Sequence, residues 1–395
     1  MMMWYLNNYC FTVLNSNFLK YVYIFNKSVY FRKEILSFGK GIYIRMKKYK
    51  VLVTAEVIKD KLETLSSSFD FIYDGYSLNH DVMAHDELIK KIGDYDILIC
   101  EYDTISKDVI DAAKKLSMII CCRGGVGSVI DLEYATKKGI IVCNNPGRNA
   151  DSAANLVFGY IIDLTRNITK TNGLIHNKVL VGDKSTKPCE YKDTVWGLDN
   201  DSPFIKYRGD SLNHMSLGIV GYGNVGKLLA KKANFFGMKV LVYDPFINQC
   251  FSKELGLKFV SFDELLEKSD VVSVHCSLNK DTKNLFSEKA FEKMKKGSYF
   301  INTSRGEIVD EISLAKYLKN GHLKGAAIDV TINEPIHADS ELLELDNLII
   351  TPHIAGSSID VQYVGTNMVI DSLMSFIKRE RPQHAVVFNG YEKNK

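Results

Sequence analysis

Residues 216–245 read SLGIVGYGNVGKLLAKKANFFGMKVLVYDP, and this stretch decides the fold. An apolar strand, Leu217 to Val220, runs into Gly221-x-Gly223-x-x-Gly226. An amphipathic helix follows, then a second strand from Lys239 to Tyr243 that ends at Asp244. Each part has a physical purpose. Gly221 permits a tight turn, Gly223 lets a pyrophosphate approach the backbone, and Gly226 lets helix and strand pack closely. The helix N-terminus offers free N–H groups and the positive end of a dipole to phosphates. Asn224 and Val225 sit in that first turn. Asp244 lies eighteen residues beyond Gly226, where a carboxylate can accept hydrogen bonds from a ribose diol. The same charge repels a 2′-phosphate, so the spacing predicts NAD over NADP. A glycine turn that merely packs does not account for Asp244.

Outward from this unit the pattern repeats. Short apolar runs at 50–57, 70–75, 96–100, 117–125 and 139–147 alternate with helical stretches such as 84–92 and 106–116. Residues 151–166 read as one long helix, apolar on more than one face and therefore buried between layers. Further strands are expected at 270–278, 298–306, 325–330 and 348–356. Strands alternating with helices predict parallel β-α-β units and doubly wound sheets. The 395 residues suffice for two domains. A net charge of +3 gives no reason to expect nucleic acid or a membrane surface as partner. Eight cysteines form no C-x-x-C pair, so no metal site is expected and a reducing, cytoplasmic setting fits.

Two segments stand apart. Residues 1–45 are rich in Tyr, Phe, Asn and Lys and carry no acid before Glu34. They hold no apolar run of the ~20 residues a membrane helix needs. Met46 opens MKKYKVLVTAEV, which reads like an ordinary protein start, so 1–45 is expected to be a dispensable extension, untranslated or disordered. Residues 177–210 have many turn formers and weak periodicity, and are expected to run over the surface.

In open parallel sheets ligands bind outside the carboxyl ends of strands, and Arg305, Glu334 and His353 all fall just past such ends. Their chemistry is complementary. A carbonyl that receives a hydride needs a proton, and histidine titrates near neutrality. A carboxylate orients the ring and favours its charged form. A guanidinium holds a substrate carboxylate through two parallel hydrogen bonds and polarises the adjacent carbonyl. Singly, each residue is also an ordinary surface ion pair, turn residue or loop histidine; the combination behind a dinucleotide fold points to reduction of a 2-oxo acid.

From about residue 49 to about 380 the chain resembles the D-isomer-specific 2-hydroxyacid dehydrogenases, the family that includes D-3-phosphoglycerate dehydrogenase. The segments that carry the resemblance are GIVGYGNVGKLLA, NTSRGEIVDEISLAKYLKNGHLKGAAIDV and TPHIAGSS. The resemblance implies an NAD-dependent oxidoreductase interconverting a D-2-hydroxy acid and its 2-oxo acid, either 3-phosphoglycerate or a related small hydroxy acid, and a homodimer. It implies that Arg305 binds substrate, Glu334 supports the histidine and His353 moves the proton. Thr303, Ser304, Asp329 and Gly356 would line the cofactor, with Asp329 on the nicotinamide carboxamide side. Arg123, Gly124, Gly125 and Val126 would meet the substrate, its carboxylate held by the backbone N–H groups of the glycine loop. The architecture implied is a Rossmann NAD domain, 148–356, inserted into a flavodoxin-like substrate domain, 46–147 and 357–390, with closure excluding water from the cleft.

The chain also departs from the family. Glu101-Tyr102-Asp103 stands where phosphoglycerate dehydrogenases commonly carry an arginine that meets the phosphate, which counts against phosphoglycerate. Asn155 stands where the long helix often has a glutamate. Arg123 and Arg148 are the cations left for an anionic tail, although both also read as plain surface charge. Glu334 counts against a formate dehydrogenase, which pairs its histidine with glutamine. The alternative function of another class is an NAD(H)-sensing, corepressor-like binding protein of the same fold.

Overall fold

Unbroken runs of Val, Ile and Leu bounded by turn residues can only be buried on both faces, and this is how they are used. In the computed structural model, residues 48–182, 200–247 and 257–391 are described in full, with the backbone of five earlier strands. Those are β1 (Met3–Leu6), β2 (Tyr9–Val13), β3 (Val22–Phe25), β4 (Lys33–Phe38) and β5 (Gly41–Met46). β1, β2 and β3 form one antiparallel sheet, and β4 pairs with β5. The remainder of the expected extension over 1–45, and residues 183–199 of the expected excursion over 177–210, lie outside the described residues.

The chain divides into two compact units, Met1–Arg148 with Ser358–Lys395, and Asn149–Ser357. The first contains β6 (Tyr49–Val53), β7 (Phe69–Tyr73), β8 (Ile97–Cys100), β9 (Met118–Cys121), β10 (Ile141–Asn144) and β18 (Ala385–Val387). Their order is β18-β10-β9-β8-β6-β7. All pairs are parallel except β18 on β10. The order reverses between β6 and β8, the switch point of a flavodoxin-like sheet. The Ile359–Lys378 helix lays Val369, Leu373, Phe376 and Ile377 on Val51, Val53, Ile97 and Ile99.

The second unit contains β11 (Ser216–Val220), β12 (Lys239–Tyr243), β13 (Lys258–Phe259), β14 (Val271–Val274), β15 (Ser298–Asn302), β16 (Leu323–Ile328) and β17 (Leu348–Ile350). Their order is β13-β12-β11-β14-β15-β16-β17, parallel throughout. It reverses between β11 and β14, so the glycine turn after β11 opens at the switch point. The long helix spans Ala150–Arg166 and packs Ala154, Val157 and Ile161 with Leu229, Ala230 and Ala233 of the Asn224–Phe235 helix. Phe286, Phe291, Leu314 and Leu318 cover the other face over Val272, Phe300 and Ile328. The strand expected over 348–356 stops at Ile350: Pro352 has no N–H to continue the ladder, and His353 turns into the left-handed region at φ 55°. Among the described residues no helix is long and apolar enough to cross a membrane.

Candidate active site

The dinucleotide end of the second unit is built by two glycines that allow no side chain. Gly221 has φ 96°, and a Cβ there would lie 2.7 Å from the His275 and Cys276 backbone. A Cβ on Gly226 would lie 2.3 Å from the Gly221 carbonyl oxygen. Gly223 is different: a Cβ there would meet nothing within 4 Å. The Asn224–Phe235 helix starts after it with no side-chain cap, so its first-turn N–H groups face open space. An anionic diphosphate fits that combination of room and donors. Asp244 closes the turn from the end of β12, accepting the Tyr222 N–H at 2.8 Å on Oδ2 and the Phe246 N–H at 2.9 Å on Oδ1. Each oxygen keeps a lone pair for a ribose hydroxyl. Thr303 Oγ1 is buried with no partner among the described residues, a polar atom left for a ligand. Ser304 is committed instead, donating to the Val274 carbonyl at 2.8 Å. Burial lowers the His275 imidazole to about 3, so it stands neutral beneath the glycine turn, bonded to Ser273 Oγ at 2.8 Å.

Three strand ends of the same unit carry the candidate catalytic groups. Asn302, at the end of β15, donates to the Arg305 carbonyl at 2.9 Å and accepts the Ser304 N–H at 3.0 Å, fixing the turn. Gly306 then abuts the Thr331 carbonyl carbon so closely that a Cβ would lie 2.1 Å away. This contact holds the Arg305 segment against the segment that leads to Glu334. The Arg305 side chain is exposed, donates to the Ser304 carbonyl at 2.6 Å and meets no carboxylate among the described residues. Glu334 Oε2 sits 2.8 Å from His353 Nδ1, and Oε1 accepts the Thr331 N–H at 3.3 Å. An ionised carboxylate only accepts, so Nδ1 carries the hydrogen and Nε2 is free to exchange a proton.

Asp329 fixes His353 from below. It is 1% exposed. Its Oδ1 accepts the Thr351 hydroxyl and the Ile354 N–H, the latter at 2.9 Å, and Oδ2 accepts the Ala355 N–H at 2.7 Å. Its own carbonyl accepts the His353 N–H at 2.8 Å. The Tyr160 hydroxyl donates to Thr351, which extends the network to the long helix. The geometry thus assigns the Asp329 carboxylate to the histidine loop. Gly356 packs on the Asn149 side chain, whose Nδ2 a Cβ would meet at 2.5 Å.

The first unit holds the remaining candidates on the loop after β9. Asn145 donates its N–H to the Arg123 carbonyl at 2.9 Å, and Asn144 its side-chain amide to the Gly124 carbonyl at 2.6 Å. With those carbonyls tied back, the N–H groups of Gly124, Gly125 and Val126 donate to nothing among the described residues. Three such amides in a row suit a carboxylate. Sequence reasoning missed Asn144 and Asn145, which brace this loop, and Tyr160, which braces the histidine loop of the second unit, and it read Arg148 as surface charge. Arg148 is instead largely buried, bonded to the buried Glu101.

Residues 159–355 match the family model described as D-isomer specific 2-hydroxyacid dehydrogenase, NAD binding domain. A glyoxylate reductase from Korarchaeum cryptofilum is 34% identical over 300 residues, 76% of this chain and 85% of the relative. A D-3-phosphoglycerate dehydrogenase from Archaeoglobus fulgidus is 34% identical over 306 residues, 77% of this chain and 54% of the relative. The D-lactate dehydrogenase of Aquifex aeolicus, solved with NAD and lactic acid, superposes with a TM-score of 0.63 at 26% identity, covering 86% of this chain and 99% of that one. The chain belongs to the D-isomer-specific 2-hydroxyacid dehydrogenases, as an NAD-dependent oxidoreductase.

Proposed function

We propose that the chain reduces a small 2-oxo acid to its D-2-hydroxy acid, and the reverse, with Arg305, Glu334 and His353 as the working set. The observation that carries this is the His353–Glu334 pair, 2.8 Å apart, beside an exposed Arg305 that meets no carboxylate among the described residues at the neighbouring strand end. NAD, when bound, supplies or takes the hydride. Arg305 grips the substrate carboxylate and draws electron density from the carbonyl. His353 gives its Nε2 proton to the carbonyl oxygen as C2 becomes tetrahedral, and takes it back in oxidation. Glu334 keeps the ring in the required tautomer and orientation. The turn around Gly221, Gly223, Asn224, Val225 and Gly226 takes the diphosphate, Asp244 takes the ribose, and Thr303 and Ser304 face the cofactor.

The Asn149–Ser357 unit is the NAD-binding domain in this reading, and the unit with Gly124, Gly125 and Val126 the substrate domain. A homodimer follows from the family resemblance. A cytoplasmic setting is supported by Cys100, Cys121, Cys122, Cys143 and Cys276, all free thiols. The test is NADH oxidation by the full chain against glyoxylate, pyruvate, hydroxypyruvate and branched 2-oxo acids. Turnover of at least one is expected. Tight NADH binding with no turnover of any would favour the NAD(H)-sensing alternative.

A further inference from the structure

His353 stands on an exposed segment. Pro352, His353 and Ile354 all lie open at the surface, so close packing does not place them. The histidine backbone is left-handed at φ 55°, a conformation that an L side chain keeps only when its surroundings impose it. Hydrogen bonds at the two ends of the segment therefore decide where the imidazole sits. At one end, Thr351 donates its hydroxyl to Asp329 Oδ1 and accepts the Tyr160 hydroxyl. At the other, the Ala355 carbonyl accepts the Ser152 hydroxyl at 2.9 Å.

Tyr160 and Ser152 belong to one helix, Ala150–Arg166. They are two steps of four residues apart, about 12 Å along the axis, and positions in such steps form one ridge. A single rigid edge thus holds both ends of the histidine segment. Tyr160 is 5% exposed, and burial pushes its phenol up to about 12, so it stays a donor across working pH. An ionised Asp329 only accepts, so Thr351 donates to it and the phenol donates to Thr351. Another face of the helix is also committed. Ala154, Val157 and Ile161 pack with Leu229, Ala230 and Ala233 of the Asn224–Phe235 helix, which begins at the glycine turn. Hydride and proton must reach neighbouring atoms of one carbonyl, and a misplacement of about 1 Å between them costs rate.

Resting on the proposed reaction, we infer that Tyr160 and Ser152 are positioning residues for proton transfer: from one helix edge they pin both ends of the 351–355 segment and register His353 against the cofactor helix. Both act through that segment. Tyr160→Phe keeps the ring and removes the hydroxyl. With whichever of glyoxylate, pyruvate, hydroxypyruvate or a branched 2-oxo acid turns over fastest, its kcat should fall about fivefold, the worth of one neutral hydrogen bond. The KM for that acid, and the NADH affinity by fluorescence titration, should stay within about twofold. In the free chain, amide hydrogen exchange over 351–355 should quicken by about the same factor as kcat falls. Thr351→Val breaks the chain at its centre and should lower kcat about tenfold or more, whereas Thr351→Ser, which keeps the hydroxyl, should retain most of the wild-type rate. Adding Tyr160→Phe to Thr351→Val should slow it no more than about twofold further, because the phenol acts through Thr351.

A folded Tyr160→Phe with wild-type kcat or wild-type exchange overturns the inference. So do fully additive losses in the double variant, and so does an equal loss of NADH affinity, which marks a merely structural role. If Tyr160→Phe does not fold, Ser152→Ala frees the other end of the segment and carries the same expectation and the same refutation. Turnover by the wild type with indifferent variants sinks this inference alone. Failure of the wild type with every 2-oxo acid refutes the functional reading and this inference with it.

Discussion

Changing Asp329 to asparagine tests how His353, the proposed proton-transferring histidine, is held. The buried carboxylate takes the Thr351 hydroxyl and the Ile354 N–H on one oxygen and the Ala355 N–H on the other. All three partners are donors. An amide can present its oxygen to one side only, so its NH₂ must face a donor on the other. At least one charged hydrogen bond, of about 1.5–3 kcal/mol, is lost outright. Those that remain fall to roughly half strength once the charge is gone. Together these losses come to about 3–5 kcal/mol. In a domain of this size each 1 kcal/mol lowers Tm by ~2–4 °C, so the melting transition should drop by about 6 °C or more. The 351–355 segment then no longer fixes His353, and kcat should fall at least about tenfold. NADH affinity, measured by fluorescence titration, should change less than about threefold, because the glycine turn and Asp244 are untouched. A variant with unchanged Tm and lost NADH affinity would refute this reasoning and return Asp329 to the nicotinamide side.

Three other perturbations read separate parts of the account. Glu334→Gln should cut kcat about 100-fold with little change in the KM for NADH; a near-normal kcat in steady-state assays would remove the carboxylate from proton transfer. Asp244→Ala should bring the kcat/KM values for NADH and NADPH together by about tenfold, whereas an unmoved ratio would mean the ribose is read elsewhere. His275 gives a pH signature in stability. Its folded pKa of about 3 lies below the ordinary imidazole value, so between about pH 6.5 and 3 the unfolded chain binds the extra proton. Stability should be full above about pH 6.5 and fall as pH drops, by at most about 1.4 kcal/mol per pH unit from this group. Urea titrations of His275→Gln should show a shallower slope from pH 6 to 4; parallel slopes would exclude His275 as a source.

Much of the second unit was legible in the sequence because its constraints are local. Gly221, Gly223 and Gly226 form one turn, and the strand that follows ends at Asp244, so a single window of sequence holds the whole proposed cofactor cradle. Arg305, Glu334 and His353 were legible as strand-end residues, although not the 2.8 Å pairing of the last two. What stayed hidden depends on contacts across long separations. Tyr160 joins Thr351 from a helix nearly two hundred positions earlier, and nothing in its surroundings marks it. Arg148 sits among turn formers and reads as surface charge; only the fold brings Glu101 to it. The Asp329 carboxylate was read toward the cofactor because sequence cannot show that the next loop supplies three donors to it. The strand β18 was missed because three residues on an edge, Ala385–Val387, give no periodicity to count.

The central claim is hydride transfer to C2 with proton delivery that yields the D product. It is tested most directly by incubating the full chain with hydroxypyruvate and 4,4-dideuterated NADH, then analysing the product by chiral chromatography and mass spectrometry. The account predicts D-glycerate carrying one deuterium at C2. L-Glycerate, or glycerate without deuterium at C2, would contradict it.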